Sequence, residues 1–389
     1  MGMSGKIVIL SAGLALLAGL AAPQARAAAA AASAESTEES AAEVLRNEDH
    51  YDVSKMPRKV RKIVFRASAY AKRGDYRKAA DLLLEFLEDN PGSDHHLLRL
   101  HLAQHLADLE LKAEAYEHYR AALDLQPQLD RGWMGLGDAA YDMERFEVAG
   151  EAFLAGYETS RERPAEVLYY AAASYLMADQ PEQALPIFER LVTERLDSAH
   201  LKWYQGLVVA ADGAGEPERA DAGVQQLLTM TPDDPDAWFL AYQHGVGKRD
   251  FREAALALTV VGYLRDLTPS ETKQLGDLYS VLEVPWLASR AYATAMDETG
   301  EPAESGDYER LVSSLVAAHE TDQALAVLDD AIARDTSSLR LVSLQGDIHY
   351  QRRDYAAAAE AYARLAAMGD ETGRAHLMQG YCALELGQR

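Results

Sequence analysis

Residues 133–155 read WMGLGDAAYDMERFEVAGEAFLA. Trp133, Leu136 and Gly137 stand in one stretch of helical apolar period and Ala149 and Phe153 in the next, which predicts two short helices joined by a turn. A pair of antiparallel helices cannot bury its own apolar face. Small residues are needed where helices touch and large ones where grooves are filled, so such a pair recurs at fixed offsets or does not fold.

Here it recurs. Aligned on Ala149, a close-contact alanine returns at Ala79, Ala115, Ala184, Ala220, Ala254, Ala288, Ala324 and Ala358, at intervals of 34–36 residues. Four residues beyond each stands a groove filler: Leu83, Tyr119, Phe153, Phe188, Val224, Leu258, Tyr292, Leu328 and Tyr362. Twelve residues before it a small residue is common, as at Ala67, Ala103, Gly137, Ala172, Gly276 and Gly346. Turn pieces such as Gly74-Asp75-Tyr76 and Arg353-Asp354-Tyr355 lie between the paired helices. With 48% hydrophobic and 26% charged residues and only 13 prolines in 389, the composition favours helices with a core to bury.

Trp133, Leu136, Gly137, Ala149 and Phe153, and again Leu275, Gly276, Tyr279, Ala288, Tyr292 and Ala295, resemble the W-x2-L-G signature of the tetratricopeptide-repeat family with its downstream alanine and aromatic. Pro91, Pro127 and Pro232 fall where that family ends a repeat. The resemblance covers residues 58–389 and implies an all-α, right-handed tetratricopeptide-repeat superhelix, an α-solenoid of about nine helix pairs plus a C-terminal half repeat. Units would start near 60, 96, 130, 165, 201, 235, 269, 305, 339 and 373. The fifth unit departs from the pattern at Gly206 and in its Ala214-Gly215-Glu216-Pro217 turn, which predicts a short or tilted first helix. Gly245 and Gly247 weaken the sixth. A flexible mid-array joint and full absorption by stacking are both open. Residues 374–388 read as a lone helix, either the polar cap that closes a solenoid or the start of a cut-off repeat; its Cys382, the sole cysteine, is expected to be buried.

The N-terminus reads as an export signal: Lys6, an uncharged run from Ile7 to Ala22, and a small-x-small site at Ala25-Arg26-Ala27. Residues 1–27 are therefore an expected signal peptide cleaved after Ala27, with an uncleaved membrane anchor as the alternative. Residues 28–57 carry Glu35, Glu38, Glu39, Glu43, Glu48, Asp49 and Asp52 and read as an acidic disordered linker. The net charge of −24 opposes nucleic acid as a partner.

Catalytic signals are absent: no phosphate loop, nucleophile elbow or paired CxxC is present. His101 and His105 are four apart on a helix, near His95 and His96, but Leu102 stands where a zinc protease needs Glu. These histidines read as a solvated helix face. No enzyme, metal or cofactor is expected.

The family resemblance implies instead that ligands bind in a concave groove, at the fifth, ninth and twelfth positions of the first helices. Those positions are Met134, Asp138, Tyr141, Tyr169, Leu176, Phe239, Gln243, Lys273, Asp277, Asp347 and Tyr350. Aromatic anchors beside polar groups suit peptide or helix ligands. A second surface is the basic first unit, with Arg58, Lys59, Arg61, Lys62 and Arg66 and a single acid, Asp75, among residues 58–78. Docking to anionic lipid or an acidic partner, and screening by the chain's own acidic linker, are both open. Residues 275–291 also resemble a segment of the periplasmic tetratricopeptide-repeat proteins that accompany TonB and ExbB/ExbD energy transducers, and the stretch from Arg374 to Tyr381 resembles their final repeat, with Trp286 and Ser289 departing. The expectation is a periplasmic protein-binding scaffold for an envelope machine of a Gram-negative bacterium, which that resemblance implies to be a TonB-type transport system. A secretion or exopolysaccharide/outer-membrane assembly factor is the alternative.

Overall fold

A computed structural model describes residues 50–194, 200–298, 304–334, 337–370 and 372–387. The expected signal peptide and residues 28–49 of the expected linker lie outside them. The described residues form nineteen α-helices and no strand. The chain divides into two compact units, ending and beginning at Thr231 and Pro232. The division falls between the fifth and sixth pairs, the two that depart from the repeat pattern.

In the first unit the pairs are α1 (Arg58–Ala71) with α2 (Tyr76–Asp89), α3 (His96–Asp108) with α4 (Lys112–Leu125), α5 (Asp130–Asp142) with α6 (Phe146–Thr159), α7 (Ala165–Met177) with α8 (Pro181–Glu194), and α9 (Leu201–Ala214) with α10 (Pro217–Met230). In the second they are α11 (Pro235–Gly247) with α12 (Phe251–Leu264), α13 (Pro269–Val281) with α14 (Pro285–Glu298), α15 (Ser305–Ala317) with α16 (Thr321–Arg334), and α17 (Leu339–Gln351) with α18 (Tyr355–Ala367), followed by α19 (Arg374–Glu385).

Each pair turns in one way. The turns hold Gly74, Glu110, Glu144, Asp179, Gly215, Arg249, Glu283, His319 and Arg353 at φ between 57° and 80°. The N–H of the residue after each bonds the carbonyl five residues back, as from Arg145 to Ala140 at 2.8 Å and Val284 to Tyr279 at 2.8 Å. This is the Schellman closure, which satisfies carbonyls that the first helix leaves unpaired. Five residues after each left-handed residue stands the close-contact alanine, and all nine alanines have no accessible surface. The nine groove fillers are at most 5% exposed.

Glycines on the first helices make room for these rings. A Cβ at Gly137 would meet the Phe153 ring at 2.8 Å, one at Gly276 the Tyr292 ring at 2.8 Å, and one at Gly346 the Tyr362 ring at 2.8 Å. The same reason corrects the expectation of a short first helix in the fifth unit: α9 runs 14 residues, and Gly206 admits the Phe188 ring where a Cβ would clash with it. Gly245 likewise serves a close crossing, where a Cβ would lie 2.9 Å from the Ala254 nitrogen. Two tryptophans tie their own repeats to the proline before them: Trp133 donates to the Pro127 carbonyl and Trp238 to that of Pro232, both at 2.8 Å.

Two expectations change. Residues 50–57, read as disordered linker, form a short 3-10 turn (Val53–Lys55) with Tyr51 and Met56 each 4% exposed. An aromatic and a methionine in an acidic setting found apolar cover on the first repeats. Helix α19 buries Ala375 and Cys382 but turns Leu377, Tyr381 and Leu384 outward, so it is not a polar cap.

Two outcomes are expected in chemical denaturation. Glu144→Gly relieves a left-handed non-glycine residue and should raise stability by about 0.5–1 kcal/mol, whereas Gly74→Ala, whose Cβ meets nothing within 4 Å, should lower it by about 1 kcal/mol through backbone strain alone. Gly206→Ala should cost about 1–3 kcal/mol by overpacking, while Gly92→Ala, in open space, should not. Equal midpoints for the members of either pair would contradict the turn or the packing described.

Candidate functional site

The first helices carry the side chains from which the family builds a ligand groove, and their surroundings divide them. In the first unit Tyr169 and Leu176 are 3% and 7% exposed. The Tyr169 ring stands edge-on to Tyr170 and Phe188 at 5.8 and 6.1 Å, with the Lys202 ammonium 4.7 Å from its centroid. Neither residue offers a contact surface, contrary to expectation, because α7 is buried over every position from Leu168 to Leu176. Met134 packs over Gly156 of α6, where a Cβ would come within 3.1 Å of its Cγ. Tyr141 is half-buried and edge-on to Phe146 at 5.2 Å, and burial, then Asp142, pushes its phenol pKa up. Beside it, burial, then Glu166 and Asp138, push Tyr170 up to about 12. Lys202 bridges to Glu166 at 2.8 Å. Tyr141, Asp138, Glu166 and Lys202 thus make a patch of one aromatic edge and both charge signs around the buried Tyr170.

In the second unit Phe239 is half-buried, 5.4 Å from the Tyr242 ring, with the Arg265 guanidinium 5.9 Å from its centroid. Glu271 holds that guanidinium through two hydrogen bonds of 2.7 and 2.9 Å, which bring its carboxyl down to about 2. Gln243 is exposed. The remaining candidates are engaged within the fold. Lys273 pairs with Asp307 at 2.6 Å. Asp277 accepts the Tyr292 hydroxyl at 2.7 Å, and Asp347 accepts the Tyr362 hydroxyl at 2.6 Å and the Arg374 guanidinium at 2.8 Å. Tyr350 stands edge-on to Tyr355 at 5.4 Å. The ninth-position acids therefore hold the groove fillers of their own pairs, a role that spacing alone does not reveal.

The histidines are not a solvated face. His105 is 6% exposed with no partner for either ring nitrogen, and burial, then His105 and Arg131, push half-buried His101 down to about 4. Among the described residues no three His, Cys, Asp or Glu side chains converge in metal-binding geometry. Cys382 is a buried free thiol.

Two surfaces lie at the start of the array. Arg58, Lys59, Lys62 and Arg66 are exposed on α1, while Arg61 turns away and donates to the Ser54 carbonyl at 3.3 Å. Next to them the segment before α1 is anchored by Tyr51, whose hydroxyl donates to Asp130 at 2.5 Å and accepts from the Arg131 N–H at 3.1 Å. The Arg131 guanidinium lies 5.4 Å from the Tyr51 ring centroid, and His96 Nε2 meets the His50 carbonyl at 2.9 Å. A cleft of about 210 Å³ opens there among His50, Asp52, Lys55, His95, His96 and Gln126. The sequence gives only a faint signal for this anchor, one aromatic ring in a charged segment.

Two profiles of the tetratricopeptide repeat match the chain, one over residues 66–130, 309–370 and 343–388 and the other over 166–195. Intraflagellar transport protein 70A of Danio rerio is 26% identical over 239 residues, which is 61% of this chain. The match spans 34% of that protein's own length. Among solved structures, a tetratricopeptide repeat protein from Parabacteroides merdae covers 67% of the chain and 100% of its own, at 13% identity and a TM-score of 0.38. YrrB, described as a TPR protein with an unusual peptide-binding site, covers 48% and 93% at 18% identity and a TM-score of 0.37. MamA from Desulfovibrio magneticus covers 44% and 95% at 21% identity and a TM-score of 0.35. Nine helix pairs in one register, two of them tied to the preceding proline through a tryptophan, and the repeat profiles lead to one assignment: the chain belongs to the tetratricopeptide-repeat family.

Proposed function

We propose that this protein is a non-catalytic scaffold that holds a peptide or helix of another protein on its first helices, after export to the periplasm of a Gram-negative bacterium. Tetratricopeptide repeats serve protein interaction, and the observation that carries the reading here is the placing of Tyr141 and Phe239. Each is a half-buried first-helix aromatic with a charged group beside it, Asp142 in one unit and Arg265 in the other. A ring held on one side by its own helix pair and open on the other loses little conformational freedom when a partner covers it.

The export reading rests on Lys6, the apolar run from Ile7 and the Ala25-Arg26-Ala27 site. The partner class is a TonB-type energy-transducing system with ExbB/ExbD-like components, for which the support is the resemblance of residues 275–291. Within that segment Ser289 is buried and donates to the Trp286 carbonyl at 2.9 Å, and Trp286 itself is 54% exposed beneath Arg290. These two departures are compatible with the repeat.

Capture from envelope extracts tests the reading. Tyr141→Ala and Phe239→Ala, made singly, should each weaken the captured partner by about 2 kcal/mol, roughly 30-fold, with far-ultraviolet dichroism unchanged. Mass spectrometry of the periplasmic fraction should find Ala28 as the new N-terminus. Undiminished capture by both variants would remove the groove assignment, and recovery only of secretion or polysaccharide-assembly proteins would remove the transport assignment.

A further inference from the structure

Helix α1 is amphipathic in an unusual sense. Val60, Ile63, Val64 and Ala67 face the array and are buried. At 3.6 residues per turn, Arg58, Lys59, Lys62, Phe65, Arg66 and Ala69 share the opposite third of the circumference, and every one is exposed. Lys72 and Arg73 extend this stripe into the turn, also exposed. No acid interrupts it, and none of its cations forms an ion pair among the described residues.

Elsewhere in the chain many arginines are held by acids. Arg99 is held by Asp94, Arg190 by Glu158 and Glu194, Arg219 by Glu189 and Glu216, and Arg265 by Glu271. Residues 79–389 contain 54 acidic against 25 basic residues, so partners for a cation are plentiful there. The α1 stripe is thus a segregated charge, all of one sign. A polar face that only caps a repeat array needs solubility, which mixed charges supply, and it has no use for an exposed phenyl ring. Phe65 stands 60% exposed in the middle of the stripe.

Cations spread along about 21 Å of one exposed helix face, with an aromatic ring among them, match the chemistry of a lipid headgroup layer. Each Lys or Arg near an anionic leaflet adds to the attraction, and an aromatic side chain settles at the interface. We infer that the outer face of α1 is a docking surface for an anionic phospholipid bilayer, with Lys62 and Arg66 as its central charges and Phe65 as its interfacial anchor. The strongly acidic remainder of the chain is repelled from such a surface, so contact is confined to this helix. An acidic protein would use the same charges but has no need of the phenyl ring.

The test is flotation of the full chain with phosphatidylcholine vesicles, with and without about 30 mol % phosphatidylglycerol. Any binding through the apolar run from Ile7 is common to both vesicle types and to every variant, so the excess on anionic vesicles is the readout. That excess should be about tenfold or more at about 50 mM salt and vanish at about 500 mM, as screening shortens below the stripe's reach. Lys62→Glu with Arg66→Glu should abolish it; should that variant lose helicity, Lys62→Gln with Arg66→Gln gives the same reading at smaller amplitude. Phe65→Ala should reduce it severalfold and leave its salt dependence in place. Equal partition onto both vesicle types, or a full excess in the charge variants, overturns the inference. So does binding of polyglutamate with no anionic vesicle excess, which would assign the stripe to an acidic protein.

Discussion

The array depends on one contact per helix pair: a second-helix alanine with no accessible surface, five residues after a left-handed turn residue. The turn sets where the second helix starts, and the alanine sets how near the first helix can come. The ring or branched chain four residues later then fills the groove that this approach leaves. Seven of the nine turn residues are not glycine, at about 1 kcal/mol of backbone strain each. The strain persists because the Schellman hydrogen bonds and the buried contact fix each turn from both sides. A repeat array tolerates such a cost in every unit because every interface also returns the same packing.

The same geometry decides how much of the molecule was legible beforehand. Alanine, groove filler and small first-helix residue report steric volume, which is local, so their register could be read at sight. The surroundings of a first-helix side chain are not local. Tyr169 and Leu176 occupy groove positions by count, yet α7 is enclosed along its whole buried run, and counting does not see that. Tyr51 finds its partner 79 residues away, so an aromatic in a charged segment looked like linker. Gly206 and Gly245 looked like helix weaknesses because the ring and the backbone that need their missing side chains belong to other helices.

Polar groups follow a rule that the apolar register does not contain. In the second unit, Tyr292 and Tyr362 fill their grooves and give their hydroxyls to Asp277 and Asp347, the ninth residues of their own first helices. Each aspartate also meets an arginine of the next first helix, Arg310 at 4.0 Å and Arg374 at 2.8 Å. A groove filler, its own first helix and the following repeat are thereby joined through one carboxylate. Hydrogen bonds to charged groups contribute about 1.5–3 kcal/mol where they are shielded, and less here in proportion to the half-exposed Asp277.

The first unit is built differently. Its corresponding fillers include Leu83, Phe153 and Phe188, which have no hydroxyl to offer a ninth-position acid. Phe153, the filler of Asp138's own pair, cannot fix that carboxylate as Tyr292 and Tyr362 fix Asp277 and Asp347, and Asp138 lies close enough to Tyr170 to raise its pKa. Around it stand Tyr141, half-buried, and Lys202 over the Tyr169 ring. The two units thus share a register and divide their polar chemistry. In the second, first-helix acids cement neighbouring repeats. In the first, one aromatic edge and charges of both signs are gathered on one patch that the repeat register does not require, which makes it the better-equipped surface for a ligand.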